Sequence, residues 1–140
     1  MVKVRISGSK DSTDVFNSII QSLVSNNNLI CKTNGKEYPN TDFTLRRYFD
    51  LDLSNMSGDL QPSKDKFLIS TRITGSEDEV NQMLDILKQL GTVYYVPDKN
   101  GDFRMKKRDK DYSVMVSCID RHNGAKRKLL CGDNSNILTL

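Results

Sequence analysis

The amino-acid sequence predicts an α+β fold of two tandem β-α-β-β units related by a pseudo-twofold. Both helices are expected on one face of an antiparallel or mixed sheet. Three observations carry that expectation. A short motif is written twice, Val4-Arg5-Ile6-Ser7-Gly8-Ser9-Lys10-Asp11 being echoed by Thr71-Arg72-Ile73-Thr74-Gly75-Ser76-Glu77-Asp78. The apolar positions after the motif repeat too, with Phe16, Ile19, Ile20 and Leu23 falling on Met83, Ile86, Leu87 and Leu90 at one constant offset of 67 positions. Within each copy the apolar spacing changes from strand alternation to the i, i+3, i+4, i+7 stripe of a helix. The first unit spans residues 1–54, a linker 55–66, the second unit 67–119 and a basic extension 120–140.

Val2, Val4 and Ile6 alternate with Lys3, Arg5 and Ser7, as in a strand with one buried face. Gly8 breaks the run and Ser9 stands at the N-cap position, with Asp11 and Asp14 near the positive end of the helix. Phe16, Ile19, Ile20 and Leu23 form its core stripe, and Asn26-Asn27-Asn28 ends it. Leu29 to Cys31 begins a second strand, residues 32–40 read as a turn-rich connection, and Phe43 to Leu53 reads as a third strand. In that strand Phe49, Leu51 and Leu53 face inward, and Tyr48, Asp50 and Asp52 face water. Residues 54–65 are poor in apolar side chains and link the copies. Phe67 to Ile73 opens the second unit, and Ser76 with Glu79 makes a capping box. Val80, Met83, Leu84, Leu87 and Leu90 supply its helical stripe, with Gly91 at the C′ position. Thr92 to Val96 is a strand, residues 97–102 a turn, and Tyr112, Val114, Val116 and Cys118 alternate along a closing strand. Beyond the repeat, Ala125 to Cys131 could add a short strand and Ile137 to Leu140 could pack across a neighbour.

A chain of 140 residues is long enough to bury a core without disulfides or metal. Its net charge of +3 is unevenly spread, residues 1–102 holding 12 Lys/Arg against 14 Asp/Glu and residues 103–140 holding 9 against 4. Cys31, Cys118 and Cys131 have no CxxC spacing, which suits a reducing compartment. No start typical of a secretion signal and no apolar run near the ~20 residues of a membrane span is present. These features lead us to expect a cytoplasmic protein without membrane partners.

The first copy resembles a family of short, uncharacterised proteins of Gram-positive bacteria and their phages. Members look like a single β-α-β-β unit that opens with Arg-Ile/Leu-Ser/Thr-Gly, carries Tyr-Pro-Asn in the second connection and closes on an Arg-x-Tyr strand. Here these elements are Arg5-Ile6-Ser7-Gly8, Tyr38-Pro39-Asn40 and Arg46-Arg47-Tyr48. The second copy keeps Arg72-Ile73-Thr74-Gly75, then has Val96-Pro97-Asp98 for Tyr-Pro-Asn and Lys110-Asp111-Tyr112 for the arginine strand. The resemblance carries no activity across. It implies a phage or mobile-element origin, where small duplicated proteins often act as regulators or as inhibitors of host defence.

No nucleophile–base pair, pocketed carboxylate pair or metal-spaced cluster stands out, so no catalytic residue, metal or cofactor is expected. His122 is the single histidine and reads as a loop residue. Asp98 to Asp102 lacks the spacing of a calcium loop, and Asp50 with Asp52 reads as a solvated strand face. Two features could hold an anion. One is the Gly8-Ser9 and Gly75-Ser76 step that opens each helix, although ordinary capping is the stronger reading, because Asp11, Glu77, Asp78 and Glu79 already place negative charge there. The other is the basic set Arg46, Arg47, Arg104, Lys106, Lys107, Arg108 and Lys110, with Arg121, Lys126, Arg127 and Lys128 beyond. Tyr48 and Phe103 lie beside these charges and could stack on a ring. Two function classes stay open. The first is a non-enzymatic inhibitor of host defence that binds a host protein or sequesters an anionic nucleotide. The second is a nucleic-acid-binding regulator using the same residues. Unpaired strand edges add the expectation of a homodimer or higher oligomer in the host cytosol.

Overall fold

The computed structural model describes residues 1–62, 64–91, 93–95, 106–108, 110–120 and 137–138. Its elements are β1 (Val2–Gly8), α1 (Lys10–Asn26), β2 (Ile30–Cys31), β3 (Tyr38–Pro39), β4 (Leu45–Asp52), β5 (Leu68–Gly75), α2 (Glu77–Gln89), β6 (Val93–Tyr95), β7 (Lys106–Arg108), β8 (Asp111–Ile119) and β9 (Ile137–Leu138). They make an α+β fold around one sheet. Its principal strands run β2-β4-β1-β5-β8-β6, with β9 beside β6, β3 beside β4 and β7 beside β8. Every pairing is antiparallel, so the mixed alternative falls away.

Strand alternation decides which side of the sheet is covered. Val2, Val4 and Ile6 of β1 are buried, and directly opposite side chains in an antiparallel pair share a face. Val4 stands opposite Phe49 on one side and Ile73 on the other, and Ile73 stands opposite Val114. Both helices lie on this face. Phe16, Ile20 and Leu23 of α1 and Val80, Met83 and Leu87 of α2 point into the same core. Phe16 links the helix to the sheet and to the second half of the chain, its ring lying 6.2 Å from Phe49 and 6.5 Å from Phe67. No helix among the described residues is long and apolar enough to cross a membrane.

The helix ends obey the expected chemistry. Ser9 Oγ accepts the Ser12 amide at 3.1 Å, and Ser76 and Glu79 exchange hydrogen bonds of 3.1 and 3.2 Å in a capping box. The Met1 ammonium pairs with Glu79, so carboxylate and ammonium already occupy that helix start. Asn27 caps α1, and its side-chain amide donates to Ser57 O at 3.0 Å and Asp59 O at 3.1 Å, which docks the linker onto the helix. Gly91 takes φ +76°, the left-handed turn expected after α2.

A boundary and a register differ from expectation. The third strand starts at Leu45, because Asp42 accepts the Thr44 amide and draws residues 40–44 into a turn with Phe43 at φ +67° and wholly exposed. Met115, not Tyr112, stands opposite Arg72 as Tyr48 stands opposite Arg5, so the Lys110-Asp111-Tyr112 match to the arginine strand is out of register. The turn at 97–102, His122 and the segment Ala125 to Cys131 lie outside the described residues.

Arg47 belongs to the covered face, opposite Ile6, and only 7% of it is exposed. A charge there needs partners. It donates to Gly35 O at 2.6 Å and to Glu37 Oε1 at 2.8 Å, and it bonds Asp14 of α1. Lys10 reaches the same Glu37 oxygen at 2.8 Å and Asp14 at 3.3 Å. Burial pushes the Asp14 carboxyl up, but the hydrogen bonds from Lys10 and Arg47 outweigh it and hold the group below its ordinary 3.8. A depressed carboxylate stabilises the fold above its unfolded pKa, and the contribution disappears as pH falls through the folded value. Urea melts between pH 6 and about pH 2 should therefore lose stability through the carboxylate range. Asp14→Asn should flatten part of that acid limb, and superimposable pH profiles would show that Asp14 contributes nothing. Arg47→Met should cost about 2 kcal/mol at neutral pH, since it removes charged hydrogen bonds and leaves Gly35 O without its donor.

Candidate functional site

Opposite the helices the sheet presents an open face. The residues that alternate with the core meet there: Lys3, Arg5 and Ser7 of β1, Arg46, Tyr48 and Asp50 of β4, Ser70, Arg72 and Thr74 of β5, and Ser113, Met115 and Ser117 of β8. Strand register turns these into rows. One runs Tyr48, Arg5, Arg72, Met115, and the next runs Arg46, Ser7, Ser70, Ser117.

A cluster forms where β3 crosses the end of β4. Tyr38 and Tyr48 meet edge to face, centroids 5.7 Å apart at 77°. The Arg46 guanidinium lies 5.7 Å from the Tyr38 ring centre, and Lys36 Nζ lies 5.6 Å from it. Arg46 Nε donates to Tyr48 Oη at 3.1 Å, and its Nη1 donates to Pro39 O at 3.0 Å and Asn40 Oδ1 at 2.8 Å. Asn40 Nδ2 in turn donates to Ser7 Oγ at 2.9 Å and to Thr44 Oγ1 at 2.9 Å. The three motifs that carry the family resemblance, spread over residues 5–48, thus touch one another in a single hydrogen-bonded patch.

The electrostatics of this patch leave cation in excess. Among the described residues neither Arg5 nor Arg46 has a carboxylate within ion-pair reach. Arg46 Nη2 donates to nothing there. Tyr38 and Tyr48 remain 39% and 42% exposed, enough for an incoming ring to lie against them. A guanidinium held by neutral acceptors beside exposed tyrosines, as Arg46 is, can bind a planar, anionic compound. A hollow of about 600 Å³ opens beside the second row, where β1 ends and β5 begins, lined by Ser7, Ser9, Ser12, Leu68, Ser70 and Ser117.

The residues expected to act together fall into separate places. Arg46 and Tyr48 share the patch. Arg47, their neighbour in sequence, points to the opposite face and is committed to Asp14, Glu37 and Gly35, so it cannot join them. Lys106, Lys107 and Arg108 form β7, in register with Ser113, Tyr112 and Asp111. Four strand spacings, roughly 19 Å, separate β7 from β4, so the basic hairpin and Arg46 do not make one site. Phe103 and Arg104 lie outside the described residues, as does the basic stretch at 121–128. Conversely, Arg5 and Arg72 stand on the open face although the sequence marks them only as members of the repeated motif. Their signal was available, since both occupy the polar phase of an alternating strand.

Other chemistry is sparse here. Cys118 is buried and its thiol is pushed up to about 12 by desolvation, which keeps it protonated and unreactive. Asp52 accepts from Ser54 and ends its strand. No group of three or more His, Cys, Asp or Glu that could hold a metal occurs among the described residues. No family model, curated protein or solved structure matches the chain.

The opposite orientation of neighbouring side chains yields a contrast in stability. Tyr48→Ser, on the open face, should cost under about 1 kcal/mol in urea denaturation, because a half-exposed ring contributes little to the core. A loss as large as that of Arg47→Met would mean that Tyr48 is part of the packing and not an available surface.

Proposed function

We propose that this chain is a non-enzymatic binding protein that captures a phosphate-bearing, ring-containing ligand of the nucleotide class on the open face of its sheet. The single observation that carries the reading is the patch of Tyr38, Arg46 and Tyr48. Its guanidinium, that of Arg46, is oriented by neutral acceptors and its rings are partly exposed. Tyr48 and Tyr38 would stack on the base, and Arg46 with Arg5 would meet the anion. A mobile-element origin, as the resemblance implies, would make such capture inhibitory, by withdrawing a nucleotide from a host defence system.

The same proposal includes a tandem duplication with a local twofold. Its support is the pairing register. Residues 4, 5 and 6 of β1 face 73, 72 and 71 of β5, so Arg5 faces the residue 67 positions further on, its own counterpart in the repeat. The β1–β4 and β5–β8 registers are related by the same offset, Arg5 to Tyr48 and Arg72 to Met115. On this reading Met115 and Ser113 replace Tyr48 and Arg46 in the second copy, so only the first copy retains the aromatic and cationic pair.

A second reading, a nucleic-acid-binding regulator, is favoured by β7, whose Lys106, Lys107 and Arg108 extend the sheet beyond β8. Isothermal titration of the full chain with adenosine and guanosine monophosphates, and with a thymidine oligonucleotide, at two salt concentrations separates the two. Capture predicts mononucleotide binding with a shallow salt dependence, weakened roughly ten-fold by Tyr48→Ser. Tight oligonucleotide binding with a steep slope, lost on changing Lys106, Lys107 and Arg108 to Ser, would favour the second reading. If neither class of ligand binds, both readings fail.

A further inference from the structure

Among the described residues Phe43 is the one large apolar side chain that is wholly exposed, and its backbone stands at φ +67°. An aromatic residue rarely adopts that conformation, and holding it there costs free energy. The turn that carries it is nevertheless firmly built. The Asn40 amide donates to Thr44 O at 2.9 Å, and Asn40 Nδ2 donates to Thr44 Oγ1 at 2.9 Å. Asp42 Oδ1 accepts the Thr44 amide at 3.2 Å and the Thr44 hydroxyl as well. A well-fixed turn thus presents a phenyl ring that nothing in its own chain covers. Asn40 Nδ2 also donates to Ser7 Oγ at 2.9 Å, so the base of the turn adjoins the hollow of about 600 Å³ that Ser7 lines. The small side chains of Ser7, Gly8 and Ser70 leave that hollow open, and Leu68 lends it an exposed apolar wall.

We propose that this turn and this hollow are the two halves of a contact between two copies of the chain, each copy seating its Phe43 ring in the hollow of the other. Ring and hollow adjoin one another on each copy, so a single twofold axis forms both contacts at once and closes the pair. Charge favours a second copy as the occupant. Asp42 flanks the ring, and Lys66, exposed two positions before Leu68, flanks the hollow. Lys66 has no carboxylate within ion-pair reach among the described residues, and the twofold brings it towards Asp42 of the other copy. Each seated ring removes about 150–250 Å² from water. With a comparable area of hollow, the two contacts stay below the roughly 1,200 Å² of a stable interface, so the dimer is weak and depends on concentration. The backbone angle at Phe43 turns the ring out of its own chain and holds it ready for the contact. Such pairing does not require nucleotide capture, which uses the rings of Tyr38 and Tyr48.

Sedimentation velocity of the full chain, from roughly 1 µM to 1 mM, tests the contact. A monomer–dimer equilibrium with a dissociation constant inside that range is expected, with no larger species. Phe43→Gly should weaken the dimer roughly ten-fold or more, because it removes the anchoring ring. In dilute solution the same variant should melt no lower than wild type, since glycine accepts a positive φ without strain. Ser70→Tyr, which fills the hollow from within, should also weaken the dimer roughly ten-fold. Lys66→Glu sets like charges against each other across the twofold and should weaken it roughly two- to five-fold at low salt. A monomer at every concentration, a dimer left unchanged by any one of the three substitutions, or growth past the dimer would overturn the proposal. A lower melting temperature for dilute Phe43→Gly would overturn it too, because the ring would then belong to the fold of a single copy.

Discussion

The antiparallel contact between β1 and β5 is the constraint on which the rest of the molecule depends. A three-stranded sheet with one helix has too little apolar surface to be secure alone. Joining the halves through their first strands lets α1 and α2 share one core, with Val4 against Ile73 and Ile6 against Thr71 at its floor. The register of that contact is enforced by burial. A slip of one residue would turn Val2, Val4 and Ile6 to water and drive Lys3 and Arg5 into the core. The same enforcement sets Arg5 opposite Arg72.

The second organising device is the charged clamp on β4. Arg47 tolerates burial because Asp14, Glu37 and the Gly35 carbonyl surround it. In return it holds the β2–β3 connection against α1. Gly35 sits at φ +63°, and a Cβ there would come within 2.7 Å of Asn17 Oδ1 and 2.9 Å of Phe49, so only glycine fits so close to the helix and strand. Three residues further on, the connection delivers Tyr38, Pro39 and Asn40 to Arg46. The ion cluster around buried Arg47 on one face of β4 thus fixes the position of the exposed aromatic cluster on the other. Structure and binding surface meet at consecutive residues, Arg46, Arg47 and Tyr48, separated only by strand alternation.

Most of the secondary structure was legible because its signals are local. Period-two alternation marked β1 and β8, helical stripes marked both helices, and Ser9 and the Ser76–Glu79 box marked where the helices begin. The start of β4 was misplaced because the turn at residues 40–44 is set by Asp42, and an aromatic residue at positive φ has no signature in an alternating run. The candidate site was legible in fragments. Arg46, Tyr48 and Tyr38 could be picked out as cations and rings close in sequence. Arg47 was grouped with them because charge alone does not show which face a side chain takes, and β7 was added because clustering in sequence says nothing about distance across a sheet.

The sequence by itself determined the order of the two helices and the long strands, the apolar faces and the helix caps, since each depends on side chains within a few positions of one another; the short strands β3 and β7 it did not show. Only the tertiary structure decided which charges are neighbours. Strand order placed β1 and β5 between the two basic regions, so Arg46 and Lys106 lie far apart although both belong to the basic set. Register brought Arg5 to Arg72 across 67 positions of chain. Both outcomes come from pairing strands distant in the chain, where burying two apolar faces together outweighs any local preference and fixes which polar side chains meet on the surface left open.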